Sequence, residues 1–282
     1  MNGQKKIFVT YGDKKFRRAS KLIVKEAKKL NIFDEIYCFS EKDLPPYIVA
    51  SPLFAFEKGG GYWLWKPYII NYVLTKKLNE GDILVYVDSG CQLNPSDQWN
   101  DYFNVMDKCN GLFFRFDENK KYPWKKYGFP ESLKIGTWTK QITINAFYPF
   151  SENGSLFEKI KIMGGIVFVK KDRKQTIIEE WLKTMLIYPE LIIDDLYIEK
   201  LDHLYPDYKF HRHDQTILTL LVNLLKESNN LFVMNEQSEQ VEEGAIIARR
   251  RRDYDLRSNM RVFLSEIPIL AKIYRLIFKI KN

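Results

Sequence analysis

Nothing in this sequence is built to cross a bilayer as a helix, because no run of 18 or more apolar residues occurs. The opening residues, MNGQKKIFVTYGDKK, lack the long apolar stretch of a secretory signal. Cysteine is scarce: Cys38, Cys91 and Cys109 are unpatterned and lack metal-type spacing, so they read as reduced packing residues of an intracellular protein. There is no GxGxxG, which argues against a dinucleotide cofactor. No fingerprint of a zinc finger, an RNA-recognition module or a helix-turn-helix is present either. The net charge of +8 is therefore not a nucleic-acid signal. Residues 249–282 hold ten Lys/Arg against three Asp/Glu, which leaves the rest of the chain at +1.

What is present suffices for a sizeable core. At 282 residues, 45% hydrophobic and 15% aromatic, the chain fits one α/β domain of catalytic size, residues 1–240, followed by a basic tail, residues 241–282. Ile7–Tyr11 reads as a strand closing on Gly12-Asp13. Phe16, Ala19, Leu22, Ile23, Ala27 and Leu30 then mark an amphipathic helix, and Ile36–Phe39 a second strand. This alternation predicts a mixed, mostly parallel sheet flanked by helices in the Rossmann manner. Ile83–Val87 is an unbroken apolar, β-branched run, the mark of a strand buried on both faces, and it stops at Asp88-Ser89-Gly90. In open α/β sheets ligands collect at the carboxyl ends of strands, so an acid there followed by two small residues reads as a metal or phosphate site, or as an Asx-type turn.

Upstream, three glycines introduce Tyr62-Trp63-Leu64-Trp65-Lys66-Pro67-Tyr68, aromatics around one cation, and Ile69, Ile70, Val73, Leu74 and Leu78 continue at helical spacing. Loop, helix and strand bring Lys66 and Asp88 to one sheet edge. A lysine that neutralises a diphosphate and a carboxylate that holds a divalent ion are complementary there. This order of elements resembles the nucleotide-sugar site of GT-A fold glycosyltransferases, in which an Asp-x-Asp motif ends a strand and binds manganese or magnesium. Here the motif is Asp88-Ser89-Gly90, and the second aspartate is absent.

The resemblance extends along residues 5–235. It implies that the loop after the first strand, Thr10, Tyr11 and Gly12, holds the nucleotide base, and that Lys66, Asp88, Ser89 and Gly90 take the diphosphate and its Mn2+ or Mg2+. Met163–Lys170, with Gly164-Gly165 at its entry, resembles the strand under the donor sugar in retaining galactosyl- and glucosyltransferases of the lipopolysaccharide and glycogenin type. Their later Asp-Gln pair is similar to Asp214-Gln215, within His211-Arg212-His213-Asp214-Gln215 before the apolar helix pattern of Ile217–Leu224. By the residues alone, Asp214 reads as a natural N-cap. By the resemblance, Asp214 contacts the donor sugar's hydroxyls and Gln215 lies near the back face of its anomeric carbon. The family's late metal-binding histidine is missing, and His213 or His211 stands as a substitute ligand.

Residues 117–148 show no period and read as a lid or an acceptor-binding loop, with Trp124, Trp138 and Lys140 as sugar contacts or as lid packing. Beyond Pro268, Ile269, Leu270, Ile273, Leu276, Ile277 and Ile280 form one helical face and Lys272, Arg275 and Lys279 the other. A basic amphipathic helix of this kind binds an anionic membrane surface, docks on the core or dimerises. The expectation is a metal-assisted, retaining transferase moving a sugar from a nucleotide-diphosphate donor to a glycan or lipid-linked acceptor. It would be cytoplasmic, peripheral to the inner face of the membrane through residues 249–282, and open to forming homo-oligomers. If the reaction inverts, Asp214 is the first candidate base. The alternatives are a sugar nucleotidyltransferase, for which Thr10-Tyr11-Gly12-Asp13 is a poor phosphate loop, and a non-catalytic membrane or polyanion adaptor using the tail.

Overall fold

The computed structural model describes residues 4–122, 128–194, 203–239 and 241–253. Among them run, in chain order, β1 (Lys6–Tyr11), α1 (Arg17–Leu30), β2 (Glu35–Phe39), the short α2 (Pro46–Val49) and α3 (Gly59–Tyr62), α4 (Trp65–Lys76), β3 (Ile83–Val87) and β4 (Gln92–Leu93). α5 (Gln98–Lys108), β5 (Gly111–Arg115), α6 (Gln141–Phe147), β6 (Ile162–Lys170), α7 (Ile177–Ile187), α8 (His213–Leu225), β7 (Leu231–Asn235) and β8 (Ile246–Ile247) follow.

Six strands make one sheet in the order β2-β1-β3-β6-β5-β7, and β4 pairs β8 in a separate ribbon. β1 is parallel to β2 and β3, and β5 to β7. β6 alone among the six runs antiparallel to its neighbours. The expected mixed, mostly parallel α/β sheet is present. The reversal of β6 is not visible in its apolar run, because a strand buried on both faces has the same pattern in either direction.

Period-two alternation splits each central strand between two cores. Leu84 and Tyr86 join Ile7, Val9, Ile69, Ile70, Val73 and Trp181 on the side of α4, α7 and α8. Ile83, Val85 and Val87 join Phe8, Ile23, Trp99, Met106 and Phe168 on the side of α1 and α5. The carboxyl end of β3 and the entry of β6 therefore meet at one sheet edge between two packed layers, with Val87 opposite Ile166.

α4 begins at Trp65, and Pro67 sits in its first turn, where a helix spends no N–H. Two local readings are corrected. The stretch read as structureless carries α6 and a 3-10 turn at Ile135–Trp138, held by buried Ile135, Trp138, Ile144 and Phe147. Arg212, not Asp214, occupies the cap of α8, and no side chain caps that helix end.

Residues 241–253 lie on the domain. β8 pairs with β4, and Arg251 makes a bidentate pair with Glu26, 2.9 and 3.1 Å. The apolar helical pattern after Pro268 and Trp124 both fall outside the described residues. No described helix is long and apolar enough to cross a membrane.

Candidate functional site

Three charged side chains that the sequence separates by up to 148 positions meet at this edge. Lys66, from the first turn of α4, is 3% exposed, and its Nζ lies 3.4 Å from Asp88 Oδ1 and 3.3 Å from Asp214 Oδ2. It also donates to the Gly164 carbonyl at 3.0 Å. Burial opposes the ammonium most strongly, but the Asp214 and Asp88 carboxylates outweigh it and hold the lysine above its ordinary value. Asp214 is 5% exposed, and burial lifts its carboxyl above the usual range although Lys66 pulls it down. Its Oδ2 faces the ammonium and receives no hydrogen bond. The Asp88 side chain, in contrast, is 41% exposed. One end of the triad is thus sealed in the fold and the other open.

The two glycines at the entry of β6 are requirements of this packing. The Asp88 N–H donates to Gly165 O at 2.8 Å, and a Cβ on Gly165 would fall 2.7 Å from Asp88 Oδ2. Gly164 lies against Asp214 and Gln215, 3.6 and 3.5 Å from where its Cβ would be. Gln215 is pinned: Nε2 donates to Ile162 O at 2.5 Å, and Oε1 accepts from Arg212 Nε at 3.1 Å. Trp181 Nε1 donates to the Asp214 carbonyl at 3.1 Å. Lys66, Asp88, Gly164, Gly165, Asp214 and Gln215 therefore come together.

The other predicted residues have different employment. Thr10 donates to Val87 O at 2.8 Å, the Gly12 N–H donates to Phe39 O at 2.9 Å, and Tyr11 stacks on Trp65 with centroids 3.8 Å apart. All three are turned into the packing beside the edge. Ser89 is buried, and Gly90 is approached by the chain itself: the Arg251 N–H donates to Gly90 O at 2.9 Å, and a Gly90 Cβ would lie 3.5 Å from the Arg250 Cα. Trp138 is 2% exposed, its indole N–H donating to Ser132 O at 2.6 Å, and Lys140 is equally buried with its ammonium on Ile193 O at 2.6 Å. These two are interior packing groups rather than surface contacts for an acceptor.

Among the described residues, those expected to hold a divalent ion do not gather round one point. His211 accepts from the Lys140 N–H at Nδ1 and donates Nε2–H to Leu191 O, which uses both ring nitrogens. His213 donates Nδ1–H to Ile192 O at 2.8 Å, and its other nitrogen faces Asp194 Oδ1 at 3.6 Å, not Asp88. Burial holds its imidazole down at about 4. Asp88 Oδ1 is taken by the Tyr86 hydroxyl and faced by Lys66. Among the described residues no cluster of three or more His, Cys, Asp or Glu could hold a metal. The neighbouring ammonium of Lys66 lies where a cation between Asp88 and Asp214 would lie.

Several participants went unread in the sequence. Tyr86 stands two residues before Asp88, hence on the same strand face, and it is the one polar tip in Ile83–Val87; period two would have found it. A second cluster flanks α8: Asp194 accepts from Lys58 at 2.7 Å and from Tyr62 at 3.1 Å, while Tyr62 and Trp63 lie on the His213 ring. Gly59, Gly60, Gly61, Tyr62 and Trp63 all have positive φ, an unbroken left-handed run that folds this loop onto the helix start. Glu239 and Arg250, paired at the rim, complete the surroundings.

No protein-family model matches the chain. No curated protein matches it either. Solved structures similar to the chain are found at low identity. They include a glycosyltransferase involved in glycosylation of the major capsid of PBCV-1, 12% identical, covering 84% of this chain and 85% of that one with a TM-score of 0.39. Mouse xyloside xylosyltransferase 1 is 8% identical, covering 80% and 84%, with a TM-score of 0.42. The galactosyltransferase LgtC, in complex with donor and acceptor sugar analogues, is 12% identical, covering 76% and 70%, with a TM-score of 0.36. Likeness of this degree assigns no residue a role.

Proposed function

We propose that the chain is a nucleotide-sugar-dependent glycosyltransferase of the GT-A type, acting on a glycan or lipid-linked acceptor. One observation carries the reading: the Lys66 ammonium holds the carboxylates of Asp88 and Asp214 together at the carboxyl end of β3, where the sheet changes direction. Ligands of open α/β sheets bind at that kind of edge. Carboxylates are good acceptors for sugar hydroxyls, and a half-exposed acid beside a buried one gives a donor sugar a wet side and a dry side.

In the proposed reaction the C1–O bond to the donor's phosphate breaks and its electron pair stays on that phosphate. The acceptor oxygen forms the new bond to C1 and releases its proton to the leaving diphosphate. Retention is the stereochemistry proposed, because Asp214-Gln215 is similar to the Asp-Gln pair of the resembled retaining enzymes. Asp214, buried against Lys66, orients the sugar. The nucleotidyltransferase alternative loses support from Gly12, whose N–H is spent on Phe39 O instead of standing free for phosphate. The cytoplasmic, membrane-peripheral setting is part of the proposal and rests on residues 254–282. Arg249, Arg250 and Arg251 are engaged with Gln92, Glu239 and Glu26, so that end of the tail belongs to the body.

The test is a panel of nucleotide sugars scored by thermal shift and by donor hydrolysis, with Asp88→Asn and Asp214→Asn alongside. The expected result is stabilisation by one donor class, lost in both variants while the fold persists. A panel without a single hit refutes the reading. Truncation after residue 253, which leaves the body's contacts whole, should spare hydrolysis; an adaptor would lose its only function.

A further inference from the structure

A nucleoside diphosphate brings at least two negative charges to this edge, and one more appears when the sugar leaves. Something positive has to meet them. The described acids and imidazoles form no group of three or more that could hold an ion, and the point between Asp88 and Asp214 is taken by an ammonium, but basic side chains do gather. Lys66 stands between the two aspartates. Arg212 lies beside them at the start of α8, held by Gln215. Lys161, two residues before Met163, stands 3.2 Å over the centre of the Trp138 ring. Burial first, and then the Arg212 charge, push its ammonium far down, so the cations left to meet a diphosphate are Lys66, Arg212 and Arg250.

Arg250 is the member free to act. Its backbone is fixed on the Asp88–Gly90 turn by the Arg251 N–H to Gly90 O bond, and it holds a left-handed φ of 52°. That conformation is strained for a non-glycine residue and is retained where the surroundings impose it. Its side chain is 64% exposed and parked on Glu239, which is 10% exposed. The arginine end of this pair is open to water, so a doubly charged ligand beside the Gly90 turn competes with the single Glu239 carboxylate for it. Arginine also suits phosphate geometrically, since its planar fork gives two parallel hydrogen bonds.

We propose that the donor's diphosphate is held by Arg250, released from Glu239, together with the cations already at the edge, and that donor binding and transfer need no divalent ion. The proposal rests on the glycosyltransferase reading and adds to it which groups bear the phosphate charge. The anion's electrons stay on the leaving phosphate throughout, and the guanidinium stays protonated.

The experiment is calorimetric titration of the full chain with nucleoside diphosphates, once in excess EDTA and once with manganese, and with Arg250→Gly and Glu239→Gln. Glycine relieves the left-handed backbone while removing the fork, so Arg250→Gly is expected to fold, and a melting curve checks it. The expected results are equal affinity with and without the ion, at least a tenfold loss in Arg250→Gly, and a gain of about twofold or more in Glu239→Gln. Affinity that appears only with manganese, or an unchanged Arg250→Gly, overturns the proposal and leaves the donor class standing. If no nucleoside diphosphate binds in either condition, the donor reading falls and this inference falls with it.

Discussion

Replacing Lys66 by methionine keeps the length of the side chain and removes the charge between Asp88 and Asp214. Asp88 is open to water and is resolvated, but Asp214 is 5% exposed and its Oδ2 has no hydrogen bond to fall back on. Removing one member of a buried pair costs about 3–5 kcal/mol because a charge is left stranded. For a domain of this size each kcal/mol moves the melting point by roughly 2–4 °C. Lys66→Met should therefore melt about 6–20 °C lower at neutral pH, and Asp214→Asn in that background should restore most of the loss. The deficit should also depend on pH with a fixed sign. Burial raises the Asp214 carboxyl in the folded state, so the fold takes up its proton before the unfolded chain does, and stability falls as pH rises. Without the lysine that lift is larger, so the Lys66→Met deficit should shrink on going from pH 7 towards 4. Urea denaturation across that range measures it. A loss below about 1 kcal/mol, the level of a solvated pair, or one insensitive to Asp214→Asn, refutes the view of this triad as a single buried unit.

Gly165→Ala pushes a methyl group to 2.7 Å from Asp88 Oδ2 and must displace that carboxylate; donor binding measured by calorimetry should weaken at least tenfold while the circular dichroism spectrum stays native. Trp138→Ala should cost about 3–5 kcal/mol of stability, and if enough folded protein survives, its acceptor KM should be unchanged, which separates packing from sugar contact. His213 is held at about 4 against an unfolded value near 6.5, so the stability it contributes is present above about 6.5 and lost as pH falls towards 4. The slope in that window should flatten in His213→Asn, as read from urea midpoints.

Much of the site was legible because a charged residue set against an apolar run is a strong signal. Lys66 heading α4, Asp88 ending β3 and Asp214 opening α8 each show it, and they meet as expected. What stayed hidden depends on partners distant in the chain. The direction of β6 is invisible in a strand buried on both faces. Trp138 and Lys140 look like surface contacts until the packing around α6 and the Ile193 carbonyl is known. The tail's first arginines look like a solvated charge run, and only the fold brings Glu26 and Glu239 to them. His211 and His213 stood in for the metal-binding histidine that the resemblance implies, yet carbonyls at Leu191 and Ile192 each claim one of their ring nitrogens.

The clasp of Arg251 on Gly90 and Glu26 has a consequence for how the protein is made. The turn that follows β3 is fastened by residues synthesised some 160 positions later, so a growing polypeptide can assemble most of its sheet while this corner still gapes. The ribosome has to deliver residue 251 before this corner closes, and a prematurely ended chain would carry the six-stranded sheet without its clasp.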